Sequence, residues 1–290
     1  MVFDEIESAI NILEKLKKWY TSRKSGGETV SARFIRLFES HGVHRNQIPR
    51  FFDHGLTLKD VQDDNSLLSK LNENILEDAC KLFAIRREWL DGADSIIYQE
   101  HDFYKDPKEF LIFLNALKST NPDGALDGVL FAPEDISHDG EAILVLNEIV
   151  GNVGDDQIYR YHLCNNWSFN YWKARGYLTA CVALAWKCEV YIRGTIATKK
   201  PINKLAQGKI FLGDKLEGVE KLYGKKWYPE DMALNPDVYL NGIDPEYRQY
   251  GFRAGLKLWL DLEKQGFMNT GVDKSARELF SKKFEEYRSS

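Results

Sequence analysis

Along the first third of the chain, hydrophobic residues recur at helical spacing. In residues 5–20, EIESAINILEKLKKWY, the side chains of Ile6, Ala9, Leu13, Leu16 and Tyr20 share one face and charges occupy the other, which predicts an amphipathic helix. SRKSGGE then reads as a break. A second helix is expected over ARFIRLFES, with Ser31 able to cap its start and Gly42 placed to end it. A short third helix follows from about His44 to Phe52. Residues 73–90, ENILEDACKLFAIRREWL, set Ile75, Leu76, Ala79, Leu82 and Phe83 on one face, and Gly92 is a natural terminator. The first 92 residues therefore read as a small all-helical unit.

The rhythm changes further on. Pro107 opens an amphipathic helix, PKEFLIFLNALK, and STNPDGALDG is a turn cluster. GVLFA, EAILVLNEIV and QIYRYHLC are short β-type runs separated by HDG and GNVGDD, as antiparallel strands would be. The segment from Ser168 to Trp186 is too long for a strand and apolar almost all round, so a buried helix is expected there. EVYIRGTIA reads as another strand and PINKLAQ as the start of a short helix, with two amphipathic helices after them in YRQYGFRAGLKLWLDLEKQG and SARELFSKKFEEYRSS. The expected fold class is α+β. An N-terminal all-helical, helix-turn-helix-like domain would span residues 1–95, and an α+β domain with a small, mainly antiparallel sheet would span 96–290.

Length and composition agree with two globular domains: 290 residues are long enough for two ordinary domains, and 43% hydrophobic residues suffice to build a core. The net charge of −5 argues against coating nucleic acid or membranes through a global positive field, so any DNA contact must come from a local patch. MVFDEIESAI lacks the basic start of a signal peptide, and the longest apolar run, Leu178 to Trp186, is far below the roughly 20 residues that span a bilayer. A cytoplasmic location without a membrane partner is the expectation. Cys80, Cys164, Cys181 and Cys188 are scattered and form no CxxC pair, which predicts buried reduced thiols rather than a disulfide framework or zinc knuckle.

One local patch exists. Between Ser31 and Arg50 four arginines face a single glutamate, Glu39. Gly42, Val43 and Ile48 carry the spacing of a helix-turn-helix, with Leu37 and Phe51 as further apolar contacts. Together with DHG at 53–55 and LFAIRREWLDG at 82–92, HGVHRNQI makes residues 28–92 resemble the phage-repressor, XRE/Cro-like helix-turn-helix family. The resemblance implies a transcriptional regulator of bacterial or phage type that binds double-stranded DNA. His44, Arg45, Asn46, Gln47 and Arg50 would face the bases, and Arg33 and Arg36 the phosphates. The second domain would then sense a small-molecule effector or form a homodimer.

Other segments suggest chemistry more weakly. NNWSFNYWKARGYLTACVALAW is rich in rings and could line a ligand pocket in which His162, Trp167, Trp172, Lys173 and Arg175 contact the ligand. PEDISHDGE at 133–141 gathers Glu134, Asp135, His138, Asp139 and Glu141, and a metal-dependent enzyme is one alternative reading. A protein-interaction role for the helical scaffold is another, favoured by Pro49 and the acidic balance. GNVGDD lacks the Walker lysine and the GxGxxG spacing, and no hydrolase or kinase motif is present. No cofactor, metal or catalytic residue is therefore assigned from sequence.

Overall fold

The structure, a computed structural model, describes residues 28–134, 140–197, 199–215, 218–222, 224–244, 251–271 and 275–288. The helix expected at 5–20 and the central part of PEDISHDGE, residues 135–139, lie outside the described residues.

Helix α1 (Val30–Ser40) begins at Thr29, whose hydroxyl accepts the Ala32 N–H at 3.2 Å; Thr29 rather than the buried Ser31 is the cap. Gly42, at φ +88°, ends the helix as expected. The third helix differs from expectation. A 3₁₀ turn (Arg45–Gln47) leads into a four-residue helix, α2 (Ile48–Phe51), with Pro49 in its first turn, where a missing N–H costs nothing. Helices α3 (Leu58–Gln62) and α4 (Asp64–Lys70) follow. The long helix expected over 73–90 splits into α5 (Glu73–Phe83) and α6 (Arg87–Leu90), because Ala84 adopts a left-handed conformation at φ 52°.

Strand β1 (Glu100–Asp102) and helix α7 (Pro107–Thr120) precede three long strands: β2 (Leu126–Pro133), β3 (Glu141–Val153) and β4 (Asp156–Ser168). After the buried helix α8 (Trp172–Lys187) come β5 (Ile192–Ala197), α9 (Lys199–Ala206) and β6 (Lys225–Trp227). Helices α10 (Asp231–Leu234), α11 (Pro236–Leu240), α12 (Gly251–Lys264) and α13 (Ala276–Arg288) complete the described chain. No helix among the described residues is long and apolar enough to cross a membrane.

The six strands form one sheet in the order β1-β4-β3-β2-β5-β6. It is mixed, not mainly antiparallel: β1 runs parallel to β4 and β2 parallel to β5. The β2–β5 pairing requires a crossover, which β3, β4 and α8 provide. Both faces of the sheet are buried. One face, with Val129, Phe131, Ile143, Val145 and Leu163, packs in a single cluster with Phe34, Phe38, Phe52, Phe83 and Trp89 of the N-terminal helices. The other, with Leu130, Ala132, Leu144, Leu146 and Cys164, packs with α7, α8, α12 and α13. Double coverage explains why EAILVLNEIV is a near-continuous apolar run instead of an alternating one.

A polar weld crosses the first of these layers. His41 is buried and stacks on Phe83 at 4.2 Å, and its Nδ1 donates to the Leu37 carbonyl at 2.7 Å. That bond fixes the proton on Nδ1, so Nε2 accepts the Tyr98 hydroxyl at 3.1 Å, and the same hydroxyl oxygen accepts the Leu212 N–H at 3.1 Å. Burial lowers the His41 pKa to about 4, so the ring is neutral. The three segments joined by the network lie far apart in sequence.

Candidate functional site

Glu148 is the unusual residue of the sheet, a carboxylate 1% exposed inside a buried strand. Burying such a charge is costly unless it is fully paired. Pairing depends on register. A β-bulge between Ile149 and Gly151 slips the β3–β4 hairpin by one residue, which sets Arg160, not Tyr161, opposite Glu148. Arg160 Nε donates to Oε2 at 2.8 Å, and its terminal nitrogen bonds Oε1. Asn121, just past α7, adds a bond to Oε1 at 3.1 Å. His162 Nε2 donates to Oε2 at 2.9 Å. Desolvation opposes ionisation of Glu148, but the bonds from His162, Arg160 and Asn121 and the Arg160 charge outweigh it and bring its pKa down to about 2.

The ionised carboxylate fixes the His162 tautomer. Nε2 carries the proton that Glu148 accepts, which leaves Nδ1 outside that bond. Among the described residues Nδ1 has no hydrogen-bond partner. His101 of β1 stands beside it, with ring centroids 6.1 Å apart, and Phe113 of α7 packs on both imidazoles, at 4.6 Å from His101 and 5.5 Å from His162. Burial, with His162 adding to it, lowers the His101 pKa to about 4. Neither nitrogen of His101 is hydrogen-bonded to a described residue.

Both histidines open into a cleft of about 610 Å³, whose other lining includes Cys80, Lys81, Arg86 and Arg87 from the helical layer and Gln99 from the chain leading into β1. The cleft lies at the sheet edge, where β1 pairs, among the described residues, only with Leu163–Asn165 of β4. Its cations are largely spoken for: Arg87 binds Glu73 at 2.8 Å and Asp91 at 2.8 Å, and Arg86 binds Asp94 at 2.6 Å. Burial pushes the Cys80 thiol up to about 12, which removes it as a thiolate nucleophile near neutral pH. What remains is an oriented imidazole, the neutral imidazole of His101 and an aromatic wall, with Gln99, Glu77 and Glu88 also in the lining. Such an arrangement can hold a polar molecule through its N–H or O–H groups, or take a proton from one.

The residues singled out from the sequence scatter over the molecule. Of His162, Trp167, Trp172, Lys173 and Arg175, only His162 lines this cleft. Trp167 is fully buried. Lys173 lies over the Trp172 ring at 5.1 Å. Arg175 is 1% exposed, stacks on Phe169 at 3.6 Å and spends its guanidinium on the carbonyls of Phe169, Tyr239 and Asn241, which makes it an internal peg.

In the helical layer, Arg33 donates to the Trp89 carbonyl at 2.8 Å, and Arg36 pairs with Glu28 at 2.9 Å and lies over Trp89. Both are half-buried, with Trp89 beneath them. His44, Asn46 and Gln47 close their own turn: His44 Nδ1 accepts the Asn46 N–H at 3.2 Å, and Gln47 Oε1 accepts the His44 N–H at 3.0 Å. Asn46 also bonds Gln62. Arg45 lies 3.6 Å from Glu39, and Arg50 is exposed. Glu134 is exposed and Glu141 accepts the Asn166 N–H at 3.2 Å; no group of three or more potential metal ligands occurs among the described residues.

No protein-family model matches the chain, and no curated protein or solved structure shows significant similarity to it.

Proposed function

We propose that the protein binds a small polar molecule in the cleft between its helical layer and the sheet edge, as the sensing part of a regulator. The observation that carries this reading is His162: a buried carboxylate holds its ring in one tautomer while its other nitrogen, unpartnered, opens into a cavity lined by both layers. A ligand seated there touches α5 and α6 on one side and β1, β4 and α7 on the other. Occupancy would therefore favour whichever arrangement of the layers fits it best. The ligand class is a neutral molecule with N–H or O–H donors, because His162 and His101 offer lone pairs and the cationic side chains are already paired.

A thermal-shift screen of small polar metabolites, with hits repeated on a His162→Phe variant, tests the reading. Ligands should raise the melting temperature of the native protein and lose that effect in the variant. A screen without hits, or hits indifferent to His162→Phe, would sink it.

A second reading keeps the corner from α1 to α2 as a DNA contact. It is favoured by Val43 and Ile48, which are fully buried at the spacing a helix-turn-helix requires, and by Arg45 and Arg50 at the surface of the same corner. Duplex DNA binding that weakens with salt and disappears in an Arg45→Ala, Arg50→Ala variant would support it. Salt-independent or absent binding would end it.

A further inference from the structure

At the opposite edge of the sheet, β6 pairs, among the described residues, only with Gly194–Ile196, so the start of β5 has no strand neighbour there among them. A second cavity of about 430 Å³ opens there, lined by Trp186 from the end of α8, Tyr191, Trp227, Tyr228 and Glu230. Gly194 is what makes room for one wall. A Cβ at that position would lie 2.7 Å from both Cδ1 and Nε1 of Trp227 and 2.6 Å from the Trp227 carbonyl, so only glycine lets the indole rest directly on the strand. Trp186 and Tyr191 meet edge to face at 4.9 Å, and Tyr228, 71% exposed, stands at the rim.

Three polar atoms of these lining residues are buried and without a hydrogen-bond partner among the described residues: Trp186 Nε1, Trp227 Nε1 and Glu230 Oε2. Each is an unmade hydrogen bond that a ligand supplying the partner would complete. The set is two donors and one acceptor. Charge around the cavity is of both signs: Arg193 pairs with Asp127 at 3.4 Å, and Lys226 and Glu230 both stand in the lining. Desolvation raises the Glu230 carboxyl above the usual carboxylate range, so an ionic partner is not what its surroundings favour.

We infer that this cavity is a binding site for a flat, uncharged nitrogen heterocycle, stacked among Trp186, Tyr191, Trp227 and Tyr228, with a ring N–H given to Glu230 and ring acceptors given to the indoles. The aromatic walls select a planar body, and the three unpaired atoms select its hydrogen-bonding edge. The inference is independent of the His162 cleft.

Isothermal titration calorimetry on the full chain with adenine and hypoxanthine provides the test. Caffeine serves as a related heterocycle without an N–H, and benzamidinium as a flat cation. Saturable binding of at least one of the two purines is expected, with caffeine and benzamidinium weaker by at least about tenfold. A Tyr228→Ala, Glu230→Ala variant should weaken purine binding by about tenfold or more while His162→Phe leaves it unchanged. Circular dichroism and a melting curve establish that the double variant is folded, since Tyr228 contributes little buried area. Absence of saturable purine binding at millimolar concentration, equal binding in the folded double variant, caffeine binding as tight as adenine and hypoxanthine, or benzamidinium binding tighter than either would each overturn the inference.

Discussion

The His41 network makes stability fall with acid between about pH 6.5 and 4. In the unfolded chain an imidazole takes up a proton below its ordinary value of 6.5; in the folded protein burial holds that off until about pH 4. Between those values the unfolded state binds more protons, so stability rises with pH. The contribution is fully present above about pH 6.5 and lost as pH falls toward 4. At roughly 1.4 kcal/mol per pH unit the whole loss is about 3 kcal/mol, of which about 2 kcal/mol is gone by pH 5. His101, also lowered to about 4 by burial and His162, works in the same direction. Glu148, lowered to about 2, loses its contribution only below its ordinary value of 4.5. Glu141 and Glu230 are raised mainly by desolvation and so contribute with the opposite sign.

A His41→Phe variant isolates the His41 share. It keeps the ring on Phe83 but leaves the Tyr98 hydroxyl without its acceptor, a cost of about 1–3 kcal/mol at pH 7.5. Urea unfolding at pH 7.5, 6.0 and 5.0, followed by far-ultraviolet circular dichroism, should show the gap between the two proteins narrowing by about 2 kcal/mol at the lowest pH. The other titrating groups cancel in the difference. Equal losses in both proteins between pH 7.5 and 5.0 would refute the argument, because acid would then be acting elsewhere.

Glu148→Ala should destabilise the protein by about 3–5 kcal/mol in urea unfolding at neutral pH, since it leaves Arg160, His162 and Asn121 around a missing anion; a loss below about 1 kcal/mol would mean the cluster relaxes freely into water. A fragment covering 96–290 should bind a hydrophobic dye and aggregate, because it uncovers Val129, Phe131, Ile143 and Val145, whereas a monodisperse fragment with cooperative unfolding would show that the sheet does not need the helical layer.

The long elements were legible and the short ones were not. Strands β2 to β5 each extend over six residues or more, enough to show as apolar runs between turns. Strands β1 and β6 have three residues each, too few to establish a period. Their parallel or antiparallel sense, like that of β2 with β5, depends on crossovers that no local pattern encodes. The α5–α6 break was hidden because Ala84, the residue that turns left-handed, is a good helix former.

The site was legible in part. His162 stood out as a polar residue near the aromatic helix, but its partner did not, because Glu148 reads as one acid at the end of an apolar run. An acid in a strand buried on both faces, with arginine and histidine in the next strand, is the signal that could have found it. Counting outward from the hairpin turn would still have placed Tyr161 opposite Glu148, since the bulge that corrects the register leaves no mark in the sequence. Arg33 and Arg36 looked like surface cations because helical spacing alone does not reveal that Trp89 lies beneath them.

The two short edge strands also govern how copies of the protein can meet. The outer row of β1 reads Glu100, His101, Asp102, with both acids exposed, and that of β6 reads Lys225, Lys226, Trp227, with both lysines exposed. A two-fold pair formed through β1 would set acid against acid, and one formed through β6 would set lysine against lysine. Attraction is left to β1 of one copy meeting β6 of the next, a head-to-tail contact. Three residues a side supply too few backbone bonds to sustain such a chain. The sheet is thereby shielded from growth at either end, and a symmetric dimer of this protein would have to be built on its helices.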